Sequence, residues 1–247
     1  MHRNHGWRRY AAPLGALACC VALSGCANGW GTEWFLIRPD PDRDVAEAPS
    51  TRIRRAQELG ARVPRMSAEE QQQATEELAS ALRGELNPNV RMALVRTVAL
   101  LPTAQADDLL KAALNDPDVN VQIAACESWG RRGTPLAVHV LADVLQNQSH
   151  RDVRLAAARA LGDMPQWSGK WSTLGHDGQL QQQAIAALGA ALDDTDVALQ
   201  RRAMLALEHV TGRYYGEDVE AWRQFVQGVD VPPKKYTVAE RVRRWLE

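Results

Sequence analysis

The sequence predicts an all-α protein, an α-solenoid of about four helix pairs with a carboxyl-terminal capping segment. Three observations carry this. Four stretches between residues 67 and 211 superimpose: LASALRGELNPNVRMALVRTVAL, LLKAALNDPDVNVQIAACESWG, LADVLQNQSHRDVRLAAARALG and LGAALDDTDVALQRRAMLALEH. Each holds two apolar patterns of helical period with a polar turn between them. A two-helix unit of this size cannot bury its apolar face alone, so its recurrence implies stacking.

The chain opens with MHRNHGWRRY, which carries Arg3, Arg8 and Arg9 and no acid, followed by the thirteen mostly small or apolar residues AAPLGALACCVAL. That run has the length of a secretion-signal core and falls short of the roughly 20 residues of a spanning helix. Next comes Leu23-Ser24-Gly25-Cys26. Leucine at −3, small residues at −2 and −1 and cysteine at the cut resemble a bacterial lipoprotein signal. The resemblance implies that residues 1–25 are removed and that the Cys26 thiol accepts a diacylglycerol group. Cys19 and Cys20 fit less well, with Ala16 and Cys19 respectively in the places where the box needs leucine and a small residue. More than one acyl chain makes such an anchor stable. Ala27 follows the cysteine rather than the aspartate that retains such proteins at the inner membrane, so the same resemblance implies the periplasmic face of the outer membrane. An ordinary cleaved signal or an uncleaved anchor is the alternative.

Residues 26–66 read as a lipid-anchored tether with a short helix. Glycine, proline and aspartate dominate its first part, with an apolar patch at residues 34–37. Asp40-Pro41-Asp42-Arg43-Asp44 begins like a calcium loop, but Val45 stands where the turn needs glycine and Thr51 where it needs a bidentate glutamate.

Residues 67–211 form the repeat domain. Ser67 and Glu70 make a capping box at its start. The second helices align on their first buried residue, Val90, Val121, Val153 and Leu199, spaced by 31, 32 and 46 residues. Offset 4 holds Leu94, Ala125, Ala157 and Ala203, offset 7 holds Thr97, Ser128, Ala160 and Ala206, and offset 8 holds Val98, Trp129, Leu161 and Leu207. Offsets 0, 4, 7 and 8 trace one helical face, and small residues there permit close approach. The first helices repeat leucine pairs: Leu78/Leu82, Leu110/Leu114, Leu141/Leu145 and Leu188/Leu192. Turns rich in Asn, Asp, Ser and Pro stop one helix and cap the next, and Thr134-Pro135 opens the first helix of the third pair.

This pattern resembles the HEAT repeat family, in particular the short bacterial HEAT-like repeats also seen in phycobilisome lyase subunits. The long step of 46 residues contains an insertion at residues 163–179, DMPQWSGKWSTLGHDGQ. Residues 212–247 read as the capping segment. Thr211-Gly212, Tyr215-Gly216, Asp218 and Trp222 resemble a stretch that closes some bacterial HEAT arrays, and the final YTVAERVRRWLE is expected to be a short helix docking Val238, Val242 and Trp245.

The formal charge is −1, and removal of residues 1–25 makes it −4. That excludes the basic excess by which proteins release counterions from nucleic acid. Four cysteines occur, three of them within the first 26 residues, so no disulfide framework is expected. His139, His150, His176 and His209 lack metal-ligand spacing, and no nucleophile or phosphate-loop motif occurs. Cys126 reads as a small core residue. Asp107-Asp108 and Asp193-Asp194 read as first-turn and cap residues, since neighbours on a helix point apart.

Two features are candidates for recognition. Arg91, Gln122, Arg154 and Gln200 share the column one past the anchor, where they could form a polar ladder along a groove; a solvated face with local charge pairing is the plainer reading. Trp167 and Trp171 lie in the insertion, and tryptophan is enriched at binding hot spots; packing of both over the neighbouring repeats is the plainer reading. The sequence therefore predicts a non-enzymatic, lipid-anchored envelope scaffold for a protein or peptide partner, with no metal, no cofactor and no nucleic acid. A bilin or chromophore lyase, implied by the lyase resemblance, and a purely structural envelope protein are the alternatives.

Overall fold

Helix starts follow from side-chain oxygens that satisfy the first free backbone donors. In the computed structural model, which describes residues 47–167, 177–235 and 237, Ser67 Oγ accepts from the Glu70 N–H at 3.2 Å while Glu70 Oε2 accepts from the Ser67 N–H at 2.7 Å. Asn87, Asp118 and Asp196 cap the helices that carry the anchors, each accepting from the N–H two residues on at 2.8–2.9 Å. His150 does the same through Nδ1 at 3.3 Å. Thr103 and Thr134 accept from Ala106 and Ala137.

Among the described residues there are ten α-helices and no strand: α1 (Pro49–Arg62), α2 (Ala68–Gly84), α3 (Pro88–Val98), α4 (Ala104–Ala113), α5 (Val119–Arg132), α6 (Pro135–Asn147), α7 (Arg151–Gly162), α8 (Asp177–Ala190), α9 (Val197–Thr211) and α10 (Val219–Val226). They pack side by side in two rows, as an α-solenoid does. The second helices α3, α5, α7 and α9 contact one another in succession, and each also contacts its own first helix among α2, α4, α6 and α8. The four anchors are at most 1 % exposed, and every residue at offsets 4, 7 and 8 of these helices is buried. The leucine pairs of the first helices are buried too, apart from half-exposed Leu82.

The packed array reaches further toward the amino end than the four-part pattern does. Helix α1 lies in the stretch expected as tether with a short helix, and it packs along α3 in the position of a second helix, with no first helix of its own among the described residues. Thr97 Oγ1, at offset 7 of α3, lies 2.9 Å from the Ala56 carbonyl oxygen and 3.0 Å from that of Ala93. Arg55 and Glu58 hold the places that are apolar or small in the later helices, which is why the pattern misses α1. Glu58 sits on the side that meets a preceding helix elsewhere, and α1 opens the row.

Neighbouring second helices meet backbone to backbone. At offset 9 stand Gly60, Ala99, Gly130 and Gly162; Gly130 and Gly162 are turned to Ala160 and Ala206 at offset 7 of the next helix, while Gly60 faces the Leu100 and Thr97 side chains. A Cβ on Gly130 would lie 3.0 Å from the Ala160 carbonyl oxygen, and one on Gly162 would lie 2.7 Å from Ala206 Cα.

The array is closed by residues 212–235. Gly212 ends α9 with φ +67°, in the left-handed region that glycine enters without steric cost. Tyr215 and Trp222 are fully buried, edge to face with ring centroids 4.7 Å apart. Trp222 Nε1 donates to the Gly216 carbonyl at 3.2 Å, and the Tyr215 hydroxyl donates to that of Val231 at 2.9 Å. Helix α10 rests on α8 and α9, covering the last pair. The signal segment, the tether up to residue 46, residues 168–176 of the insertion and the Val238, Val242 and Trp245 stretch lie outside the described residues.

Gly162→Ala is expected to destabilise the fold by about 1–3 kcal/mol, because its methyl group meets backbone that cannot move aside. Gly84→Ala, whose methyl group meets nothing within 4 Å, is expected to be neutral or to stabilise by up to about 1 kcal/mol. Urea unfolding of the two variants separates the contact from the loss of glycine itself.

Candidate functional site

The column one past the anchor stitches the stack together. Arg91 reaches across to the next turn and holds Asp116 through two bonds of 2.8 Å, while its Nη1 donates to the Leu86 carbonyl at 2.9 Å and to that of Glu85 at 3.2 Å. Gln122 Nε2 donates to the backbone carbonyl of that same Asp116 at 2.6 Å and its oxygen accepts from Gln148 at 3.2 Å. Arg154 holds Asp194 of the following turn and the Leu145 carbonyl, and Gln200 donates to the Asp194 carbonyl at 2.6 Å. Each aspartate thus takes an arginine from the previous pair on its carboxylate and a glutamine from its own pair on its carbonyl. The polar groups of these four residues are turned into the turns, where they make local pairs of the kind the plainer reading expects.

Arg52 belongs to the same column and was missed by the sequence reading. It clamps Glu85 through bonds of 2.8 and 3.0 Å. The signal was there, an arginine seven and eight residues ahead of the apolar-glycine pair Leu59-Gly60. At the other end, the Asp196 N–H and Arg154 hold the Asp194 carboxyl below its ordinary pKa. Arg151 does so for Asp196, at 2.5 Å.

Trp167 is half-buried in a single 3₁₀ turn, Pro165–Trp167, and its Nε1 donates to the Leu161 carbonyl. It therefore fastens the insertion to the end of α7. Trp171 and Cys26 lie outside the described residues. Cys126 is fully buried in α5, and burial, with Glu127 adding to it, pushes its thiol pKa up to about 12. That is the opposite of what a thiolate nucleophile needs. Among the described residues no group of three or more His, Cys, Asp or Glu is placed to hold a metal ion, and no helix is long and apolar enough to cross a membrane.

Two open surfaces remain. An open cleft of about 520 Å³ separates α4 from α6, floored by Leu114, Val140 and Val144 and rimmed by Lys111, His139 and Asp143. It exists because these first helices hardly touch, in contrast to α6 and α8. The other surface is the outer face of the second helices. Met92, Ile123 and Leu155 stand two past the anchor on three successive helices, all half-exposed. Beside them, at offsets 6 and 10, are Arg96, Arg131 and Arg159, all exposed.

Residues 75–162 match the family model of HEAT repeats. The matched stretch runs from within α2 to the end of α7 and so takes in three of the four pairs. The pair α8 and α9 continues the same packing beyond it. Among curated proteins none matches this sequence.

A double-mutant cycle on Arg91 and Asp116, whose side chains are 13 % and 12 % exposed, is expected to give a coupling of about 1–3 kcal/mol. The same cycle on Arg96 and Glu127, 48 % and 43 % exposed at 3.4 Å, is expected to give less than about 1 kcal/mol. Iodoacetamide at pH 8 is expected to leave Cys126 unmodified in the folded protein and to alkylate it in denaturant, as read from the mass of the peptide that contains it.

Proposed function

We propose that this protein is a lipid-anchored, non-catalytic scaffold of a bacterial envelope that binds a protein or peptide partner on the open face of its second helices. HEAT repeats serve generally as protein-interaction scaffolds. The observation that carries the reading here is the half-exposed apolar row of Met92, Ile123 and Leu155. It is repeated at one register on three helices whose other apolar columns are all consumed by packing. A row held at constant spacing by a rigid stack is a ruler for a linear partner. The clamps of the neighbouring column keep that spacing by tying each turn to the next pair.

The anchor is inferred from Leu23-Ser24-Gly25-Cys26 behind its short apolar core. Acyl chains on Cys26 would confine the scaffold to a membrane surface, here the periplasmic face of the outer membrane. Confinement raises the effective concentration of scaffold and partner without adding a contact. Nothing in this mechanism calls for a cofactor or a bond-making group.

The full-length protein, expressed in a bacterium fed an alkyne palmitate, is expected to take up label and to sediment with membranes. Cys26→Ala is expected to do neither, and an unlabelled wild-type protein defeats the anchor. A photo-crosslinking residue at position 123 is expected to form an adduct with a polypeptide in intact cells, whereas one at exposed Asp108 on α4 is not. Absence of any adduct at 123 defeats the scaffold reading.

A further inference from the structure

Charge is sorted between the two rows. The five second-row helices α1, α3, α5, α7 and α9 carry thirteen arginines, no lysine and four carboxylates. The four first-row helices carry eight carboxylates against one arginine and one lysine. The chain as a whole is close to neutral, at −1, so the sorting is not a matter of composition.

Part of this excess serves the stack. Arg52, Arg91, Arg151 and Arg154 hold carboxylates of the turns, and Arg132, tucked beneath α3 and α4, holds Asp107 at 2.7 Å. On the open face four others remain, one per helix from α3 to α9. Arg96 is 3.4 Å from Glu127, Arg159 is 3.2 Å from Asp163, and Arg201 is 3.1 Å from Glu217. Arg131 meets the Ser128 hydroxyl rather than a carboxylate. Such exposed pairs are worth little and exchange partners readily. A guanidinium offers a carboxylate two parallel donors, which is a better match than a lysine's point charge.

From this we propose that the occupant of the open face is an acidic polypeptide segment with regularly spaced apolar residues. The proposal rests on the scaffold reading above and adds the partner's chemistry. Packed helices lie about 8–10 Å apart, which a chain in the polyproline-II conformation, with three residues per turn and about 3.1 Å rise per residue, covers in one turn, so that residues three apart face the same side. A segment crossing α3, α5 and α7 would set an apolar side chain against Met92, Ile123 and Leu155 at every third position. Its carboxylates would lie over Arg96, Arg131 and Arg159. An anionic bilayer fits this face less well. Its uniform charge would also meet Glu127 and Asp163, which a peptide can avoid by placing its acids at the arginines alone. The first row of a second copy is acidic too, but it offers helix surface rather than a line of apolar residues at this pitch.

The test uses the acylated full-length protein in detergent micelles. The probe is a fluorescent peptide of leucine at every third position between glutamates, with a twin carrying lysine in place of glutamate. The acidic peptide is expected to bind saturably at 0.15 M salt, and the lysine twin at least about tenfold more weakly. Arg131→Glu with Arg159→Glu is expected to weaken the acidic peptide at least about tenfold with an unchanged unfolding midpoint, and Arg131→Lys with Arg159→Lys much less. The comparison of the two peptides on the wild-type protein stands even if a variant misfolds. Equal binding of both peptides, or no saturable binding of the acidic one, overturns the proposal. So does arginine-dependent binding to vesicles of phosphatidylethanolamine and phosphatidylglycerol, or arginine-dependent self-association in sedimentation, where the acidic peptide does not bind. A polypeptide adduct at position 123 alongside a failed peptide test removes the acidic partner and leaves the scaffold. No adduct and no peptide binding remove both.

Discussion

The structure depends on how closely neighbouring second helices approach. At Gly130 and Gly162 the approach leaves no room for a methyl group, because the nearest atoms opposite belong to the Ala160 and Ala206 backbone. Such contacts set the pitch of the row. Pitch in turn decides whether an arginine on one helix can reach the turn of the next pair. Arg91 to Asp116 and Arg154 to Asp194 both make that reach. Replacing offset 9 with larger residues would spread the row and pull the clamps out of range together, so packing and electrostatics here are one constraint. The first row carries no such requirement, and α4 and α6 stand apart around a cleft.

A stack built this way has an unfinished face at each end, and the two ends are finished differently. At the amino end of the described residues, α1 lies in the second row with no described first helix, and Glu58, at offset 7, occupies a side that no described helix covers. At the carboxyl end, Glu208 replaces glycine or alanine at offset 9 of α9, so a further second helix has nothing small to pack on. Terminal repeats need a polar outer surface to stay soluble. Here Glu208 itself is buried, and α10 with the Tyr215–Trp222 pair covers the last pair.

Much of this was legible from residues alone, because burial in a repeat leaves a column. Val90, Val121, Val153 and Leu199 could be found by period, and the capping box at Ser67 by its two residues. Three things could not be found that way. Helix α1 escaped because a first helix in a row loses the columns that face a predecessor. The glycine column at offset 9 was present in the sequence but stands apart from the apolar residues on which the alignment was made. Arg91, Gln122, Arg154 and Gln200 were visible as a column, yet a polar residue beside a buried anchor lies at an edge from which it can turn outward or back toward the chain. Which way it turns depends on a carboxylate brought near by the neighbouring pair, and that proximity is tertiary. The N-cap of α7 is a smaller case: Ser149-His150-Arg151-Asp152 offers several capping groups, and the structure uses the His150 ring.

The separation of charge between rows has a structural source and a residue. Acidic side chains in the first turns of α2 and α4, Glu69, Glu70 and Asp107, face unpaired backbone donors and favour helix formation there. Acidic turns need cations within reach, and the second row supplies them. Beside the arginines that clamp the turns, Arg96, Arg131, Arg159 and Arg201 stand exposed on helices α3 to α9. Their neighbouring carboxylates are exposed and contribute little to stability. Burial separates most of the two sets: Arg91 and Arg132 are largely covered and Arg52 and Arg154 are partly so, while Arg96 and Arg159 are about half exposed or more; Arg151, which holds Asp196, is exposed like the second set. The covered set can change only at a cost to the fold. The exposed set, with Arg96, Arg131 and Arg159 flanking the apolar row at offsets 6 and 10 and Arg201 standing in its column on α9, is where selection for a partner can act without disturbing the stack.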